Sequence, residues 1–325
     1  MRAKLNLANL PTPIFRANRL SEDLGVNIYL KRDDQTGSEI SGNKIRKLEY
    51  SLKEALDKGA TMVITTGGVQ SNHCRATTAA ATMVGLKVVL LLRISEEPKI
   101  EGNLFLDKLF GAEIRFCTPQ EYRLSRNEIM KSIADEKEAM GERCYIIPEG
   151  ASNGIGSLGY FTAMEEIVKQ EDELGVKFDT IVVAVGSGGT YSGLSLANRY
   201  YNLNKRVIGF AVCDDSEYFV NQIDKINLEA QVHLDKVVEI SKNEIEINDK
   251  YTGIGYALST PSELEFIKYL ASKEAVVLDP VYTAKAMIGL CNEIKSGNLK
   301  SSDNILFIHT GGLFGLFPKQ EQFQF

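Results

Sequence analysis

Short runs rich in Val, Ile and Phe recur along the chain, separated by longer stretches in which apolar residues return every three or four positions. The runs predict strands at 61–65, 87–92, 113–117, 144–147, 180–185, 207–212 and 304–309. The periodic stretches between them predict helices, three of which start near Ser71, Glu101 and Pro119. Apolar strands that alternate with amphipathic helices belong in mostly parallel sheets covered on both faces, so the fold class is α/β. The first four strands form a compact unit, read as a small domain at 48–155 inserted into a larger domain made of 1–47 and 156–325. The Gly-rich stretch 150–156 follows that unit and suits a flexible return crossing between two open sheets.

Composition narrows the function. A chain of 325 residues is longer than one core usually organises, which favours two domains sharing a cleft. A net charge of −6 with scattered Lys and Arg argues against a nucleic-acid footprint and points to small-molecule partners. No continuous apolar run reaches the roughly 18 residues of a membrane span, and the first residues lack a signal-like apolar run, so a cytoplasmic protein is expected. Five widely spaced cysteines without a CxxC pair indicate neither a disulfide framework nor a zinc knuckle. The three histidines lack metal-ligand spacing, and no metal centre is expected.

The polar residues with chemical potential gather at strand ends, where open α/β sheets bind ligands. Gly186, Ser187, Gly188, Gly189 and Thr190 follow an apolar strand and open a helix, so their amides could hold a phosphate; taken alone, a plain tight turn fits as well. This loop lacks the third glycine of a dinucleotide fingerprint and the lysine of a Walker A loop. Lys44 and Lys47 share one face at a helix start, an unfavourable place for cations. A solvated basic face is the simpler account of them; a lysine that attacks a carbonyl would instead be desolvated. Ser71 and the amides after it could cap a helix or receive a carboxylate, and Asn72 and His73 complete that run. Tyr256 and Tyr282 stand at predicted element ends and could exchange protons in a cleft, although each alone reads as a packed aromatic.

Taken together and in order, Gly42-Asn43-Lys44-Ile45-Arg46-Lys47, Gln70-Ser71-Asn72-His73, the 186–190 loop, Asp279-Pro280-Val281-Tyr282 and His309-Thr310-Gly311-Gly312 resemble the aminocyclopropane-carboxylate deaminase and D-cysteine desulfhydrase family. The resemblance covers nearly the whole chain. It implies a tryptophan-synthase-β-like fold, pyridoxal phosphate as cofactor and assembly as a homodimer. It further implies that Lys44 carries the cofactor as a Schiff base, that Lys47 and the 186–190 loop hold its phosphate, and that Asn72 meets its ring hydroxyl. Ser71 and the amides that follow, with Asn72 and His73, would receive the substrate, and Tyr256 and Tyr282 match the family's two active-site tyrosines.

Two positions near the cofactor's pyridine nitrogen divide the family's branches, and here they are Thr283 and Thr310, the desulfhydrase-like choice. A carboxylate there would keep the ring nitrogen protonated and the electron sink strong, as opening a ring without an α-hydrogen requires; a neutral hydroxyl suits α-proton removal and loss of a good leaving group. The expected reaction is β-elimination from a small amino acid, D-cysteine first, with Lys44 as the α-proton base. The rivals are aminocyclopropane-carboxylate deamination, elimination from chloroalanine, cysteate or serine, a non-catalytic cofactor binder, and a nucleotide-binding protein.

Overall fold

A computed structural model describes residues 3–299 and 303–325. Its strands are β1 (Ile14–Arg16), β2 (Asn27–Lys31), β3 (Met62–Gly68), β4 (Lys87–Arg93), β5 (Glu113–Cys117), β6 (Cys144–Ile146), β7 (Thr180–Val185), β8 (Arg206–Ala211), β9 (Glu246–Asn248) and β10 (Asn304–Ile308). The helices are α1 (Asn18–Leu24), α2 (Lys44–Asp57), α3 (Asn72–Met83), α4 (Gly102–Leu109), α5 (Pro119–Ala139), α6 (Gly154–Leu174), α7 (Gly189–Tyr200), α8 (Ser216–Ala230), α9 (Pro261–Glu274), α10 (Thr283–Lys295) and α11 (Leu313–Leu316). One sheet has the order β1-β2-β10-β7-β8-β9, and the other β5-β4-β3-β6. Every strand pair is parallel except β1 with β2. Helices cover both faces of each sheet, and each sheet is flanked by two apolar clusters, as a parallel sheet requires.

All seven predicted strands form, and three strands went unread. β1 (Ile-Phe-Arg) and β9 (Glu-Ile-Asn) offer only two and one apolar residues, whereas the equally short β6 runs on into Ile147. In β2 the alternating Ile28 and Leu30 are buried, but the strand ends in a buried Lys31, which no rule of apolar patterning anticipates. β3 also runs on past the predicted end at 65 through Gly67 and Gly68, because they continue the parallel ladder opposite Leu92 and Arg93.

The Gly-rich stretch is not a flexible crossing. Asn153 caps α6 by accepting the amide of Gly156, and the glycines enter the helix. Farther along α6, a Cβ on Gly159 would lie 2.3 Å from the carbonyl oxygen of Arg46 in α2. A Cβ on Gly193 in α7 would lie 2.1 Å from that of Ser157. The missing side chains let α6 press against both α2 and α7, two of the helices whose starts bound the site.

A buried ion network fixes α2. Arg46 donates to Asp33 Oδ1 and Oδ2 at 2.8 Å and to Glu166 at 2.9 and 3.0 Å. Lys31 pairs with Glu166 and donates to Thr12 O at 2.7 Å, while the Tyr160 hydroxyl donates to Asp33 at 2.5 Å. Burial opposes every charge here; at Asp33 it is outweighed by Arg46 and Lys31, which hold the carboxyl below its ordinary range. Two cations and two anions balance, so losing one leaves an uncompensated buried charge. Arg46→Met is expected to lower unfolding stability by about 3–5 kcal/mol, measured by chemical denaturation.

Candidate active site

The carboxyl ends of β3, β6, β7 and β10 converge on one cavity, bounded by the starts of α2, α3, α7 and α10. Lys44, Ser71, Asn72, His73, Gly186, Ser187, Gly188, Thr190, Tyr256, Tyr282 and Thr310 all line it. Lys47, Gly189 and Thr283 sit one layer behind. The approach of α2 to β10 is tight: Gly42 has φ 105°, and a Cβ there would lie 2.8 Å from Thr310 O. Asn43 N donates to that same oxygen at 3.1 Å, and Asn43 Nδ2 donates to Thr190 Oγ1 at 3.0 Å.

Lys44 is the first residue of α2, where no side chain caps the free amides and no acid occupies the first turn. Its Nζ donates to Asn43 Oδ1 at 2.9 Å and lies 5.7 Å from the centre of the Tyr282 ring. Desolvation pulls its pKa down to about 8, against the opposing pull of Asp279 and Glu149. A useful fraction of the amine is thus neutral near physiological pH, as attack on a carbonyl needs.

Lys47 is almost wholly buried, and its ionisation is pulled well down by burial and then by Lys44, with no carboxylate acting on it. Its Nζ donates to Ser152 Oγ at 3.1 Å, and that hydroxyl also meets Ser187 Oγ at 2.8 Å and accepts the Gly189 amide at 3.3 Å. Gly188, with φ 87°, starts α7 without a side-chain cap, leaving amides directed at the same place. A buried amine without an anion, beside uncapped amides, would be held as a cation by a dianionic phosphate placed there.

Ser71 caps α3, its Oγ accepting the Cys74 amide at 3.2 Å. Asn103 Nδ2 donates to Asn72 Oδ1 at 3.0 Å and to Gln70 O at 3.0 Å, which leaves the Asn72 amide nitrogen free to donate into the cavity. Both ring nitrogens of His73 are engaged by threonines, Nε2 with Thr65 Oγ1 at 2.8 Å and Nδ1 with Thr77 Oγ1 at 3.4 Å. Burial, then Lys44 and Lys47, push its pKa well down, so the ring is neutral and offers the cavity a face rather than a polar atom.

The hydroxyls of Tyr256 and Tyr282 lie 2.5 Å apart with their rings edge to face. Burial raises the pKa of both, so the pair is fully protonated at neutral pH. Asp279 positions Tyr282: its Oδ2 accepts the amides of Val281 and Tyr282 at 2.9 and 3.0 Å, and its Oδ1 accepts the Thr283 amide at 2.8 Å. The Thr283 hydroxyl donates to Asp279 Oδ1 at 2.7 Å and receives the Asp279 amide at 2.7 Å. Thr283 is therefore occupied as part of this cap and does not line the cavity, whereas Thr310 does.

The model of the family described as pyridoxal-phosphate dependent enzyme matches residues 5–311. The bifunctional D-cysteine desulfhydrase/1-aminocyclopropane-1-carboxylate deaminase, mitochondrial, of Arabidopsis thaliana is 44% identical over 330 residues, covering 98% of this chain and 80% of its own. The chain belongs to the aminocyclopropane-carboxylate deaminase and D-cysteine desulfhydrase family of pyridoxal-phosphate enzymes. Another relative, a Thermotoga maritima protein provisionally named 1-aminocyclopropane-1-carboxylate deaminase, is 44% identical over 98% of this chain and 99% of its own. The crystal structure of an ACC deaminase homologue superposes with a TM-score of 0.90 at 40% identity, covering 98% of this chain and 94% of its own. An O-ureido-L-serine synthase structure, at TM-score 0.70 and 15% identity, shares the fold alone.

Family membership makes pyridoxal phosphate the cofactor, and the residues present fit it: Lys47 and the 186–190 loop suit its phosphate, Lys44 its aldehyde and the Asn72 amide nitrogen its ring hydroxyl. Sequence reasoning passed over Asn103, Ser152 and Glu149. Asn103 lies on a different helix from the residue it orients, so nothing local marks it. Ser152 and Glu149 flank Gly150 directly after a predicted strand, and that position was the available signal. The low ionisation of Lys44 predicts that the rate of pyridoxal phosphate attachment, trapped by borohydride reduction, rises as pH passes upward through about 8 instead of near 10.5.

Proposed function

We propose that this family member is a lyase that eliminates the β-substituent of a small amino acid, with D-cysteine as its first substrate. The observation that carries the reading is a desolvated amine at Lys44, lowered to about 8 and so more readily neutral than an ordinary lysine, that faces a protonated pair of phenols across one cavity. Pyridoxal phosphate, when bound, supplies the electron sink that makes the α-hydrogen acidic. Ser71 and the free amides of α3 hold the substrate carboxylate at a helix start. Lys44 is the residue to which the cofactor is joined, and its amine, once displaced by substrate, takes the α-proton. The Tyr256 and Tyr282 hydroxyls deliver a proton to the departing sulfur, so that D-cysteine and water give pyruvate, ammonia and hydrogen sulfide.

Thr310 supports elimination over ring opening, since it offers the cavity wall a neutral hydroxyl; with Thr283 held by Asp279, Thr310 bears that distinction alone. The names of the relatives favour a second reading, 1-aminocyclopropane-1-carboxylate deamination to 2-oxobutanoate and ammonia. The reading also takes 48–155 as an inserted domain and the working form as a homodimer. The deciding measurement is product release from D-cysteine, L-cysteine, chloroalanine, cysteate, serine and aminocyclopropane carboxylate. Pyruvate from D-cysteine should outpace 2-oxobutanoate from aminocyclopropane carboxylate, and the reverse order would replace the first reading with the second. Lys44→Ala should abolish both turnover and the visible absorbance of the bound cofactor.

A further inference from the structure

The cavity contains a carboxylate for which the proposed elimination has no use. Glu149 lines it and, among the described lining residues, is the only Asp or Glu. The 3-10 turn Glu149–Ala151 follows β6, and at Gly150, with φ 68°, a Cβ would stand 2.5 Å from Ser187 Oγ. The turn is thereby pressed onto the 186–190 loop, which brings Glu149 to the cavity wall. Its negative charge acts on Lys44, Tyr256 and Tyr282 alike, the three groups that surround the reacting carbons in the elimination reading. Arg93 lies 5.4 Å from the centre of the Tyr256 ring, but there Glu149 has the larger effect. Asp279 is already consumed by its backbone and threonine hydrogen bonds, and His73 is neutral.

We propose that Glu149 sets the charge that the site accepts on the β-carbon, admitting neutral and cationic substituents, favouring β-amino amino acids such as 2,3-diaminopropionate, and disfavouring sulfonates and carboxylates. The proposal deepens the elimination reading and rests on it. D-cysteine, whose thiol is neutral near pH 7, passes this filter. With 2,3-diaminopropionate, Glu149 keeps the β-nitrogen protonated as ammonium. Lys44 takes the α-proton, the Cβ–N bond breaks with its electron pair going to nitrogen, and neutral ammonia leaves. Hydrolysis of the resulting aminoacrylate gives pyruvate and a second ammonia.

Binding and turnover test the two layers separately. Calorimetric affinities of the holoenzyme are measured for the α-methyl analogues of 2,3-diaminopropionate and cysteate, which lack an α-hydrogen and cannot react. Wild type should bind the amine over the sulfonate by on the order of tenfold or more, the scale of a unit charge a few ångströms away in a partly buried site. Glu149→Gln should bring that ratio close to one, and Glu149→Asp, which keeps the charge, should retain the preference even if the Gln variant folds poorly. A wild-type preference for the sulfonate, or a ratio indifferent to loss of the charge, overturns the proposal. Pyruvate release from unmethylated 2,3-diaminopropionate and chloroalanine reports on elimination itself: none from either, with the binding preference intact, would reject the elimination chemistry and leave the charge filter standing.

Discussion

The site depends on the anchoring of one helix by one arginine. In α2, Arg46 points roughly 200° around the helix from Lys44, so locking Arg46 to Asp33 and Glu166 on one side turns Lys44 toward the cavity on the other. Lys47, three residues on, shares the Lys44 face and is carried behind the 186–190 loop. Gly159 removes the side chain that would hold α6 away from this helix. The position of the Lys44 amine is therefore set by an ion network whose members do not line the cavity.

Anchored in this way, the site holds charges that water would otherwise stabilise. Lys44 and Lys47 stand near each other without a directly bonded carboxylate, at helix starts whose dipoles oppose them. Such an arrangement is costly until an anion arrives, and a phosphate group meets both the buried cation and the uncapped amides of α7. The same desolvation that makes the arrangement costly lowers Lys44 to about 8 and thus makes it reactive. Glu149 lines the same cavity, and its charge acts on both tyrosines as well as on Lys44.

Most of the central sheet strands were legible because parallel strands buried on both faces must be apolar, which leaves a strong local mark. The outlying β1 and β9 were not, since they hold only two and one apolar residues, and β2 concealed itself behind a buried lysine whose partners Glu166 and Gln170 lie far along the chain. The position of the glycine loop at the start of α7 and of the serine that caps α3 could be read in place, because strand-to-helix turns expose their chemistry locally. Thr283 shows the limit of that approach: its position beside Tyr282 suggested the cavity, but Asp279, four residues earlier, claims both its amide and its hydroxyl.

By itself, then, the chain's pattern determined an α/β protein, where along the chain its core strands lie and the strand ends at which ligands would meet it, because each follows from periodicity and turn chemistry within a short window. Tertiary structure alone decided that Lys44 is desolvated, that Tyr256 and Tyr282 share a hydrogen bond, that Asn103 orients Asn72 and that Glu149 faces the same cavity. Those properties arise between residues from 26 to more than 100 positions apart, or from the exclusion of water, which no single segment can bring about.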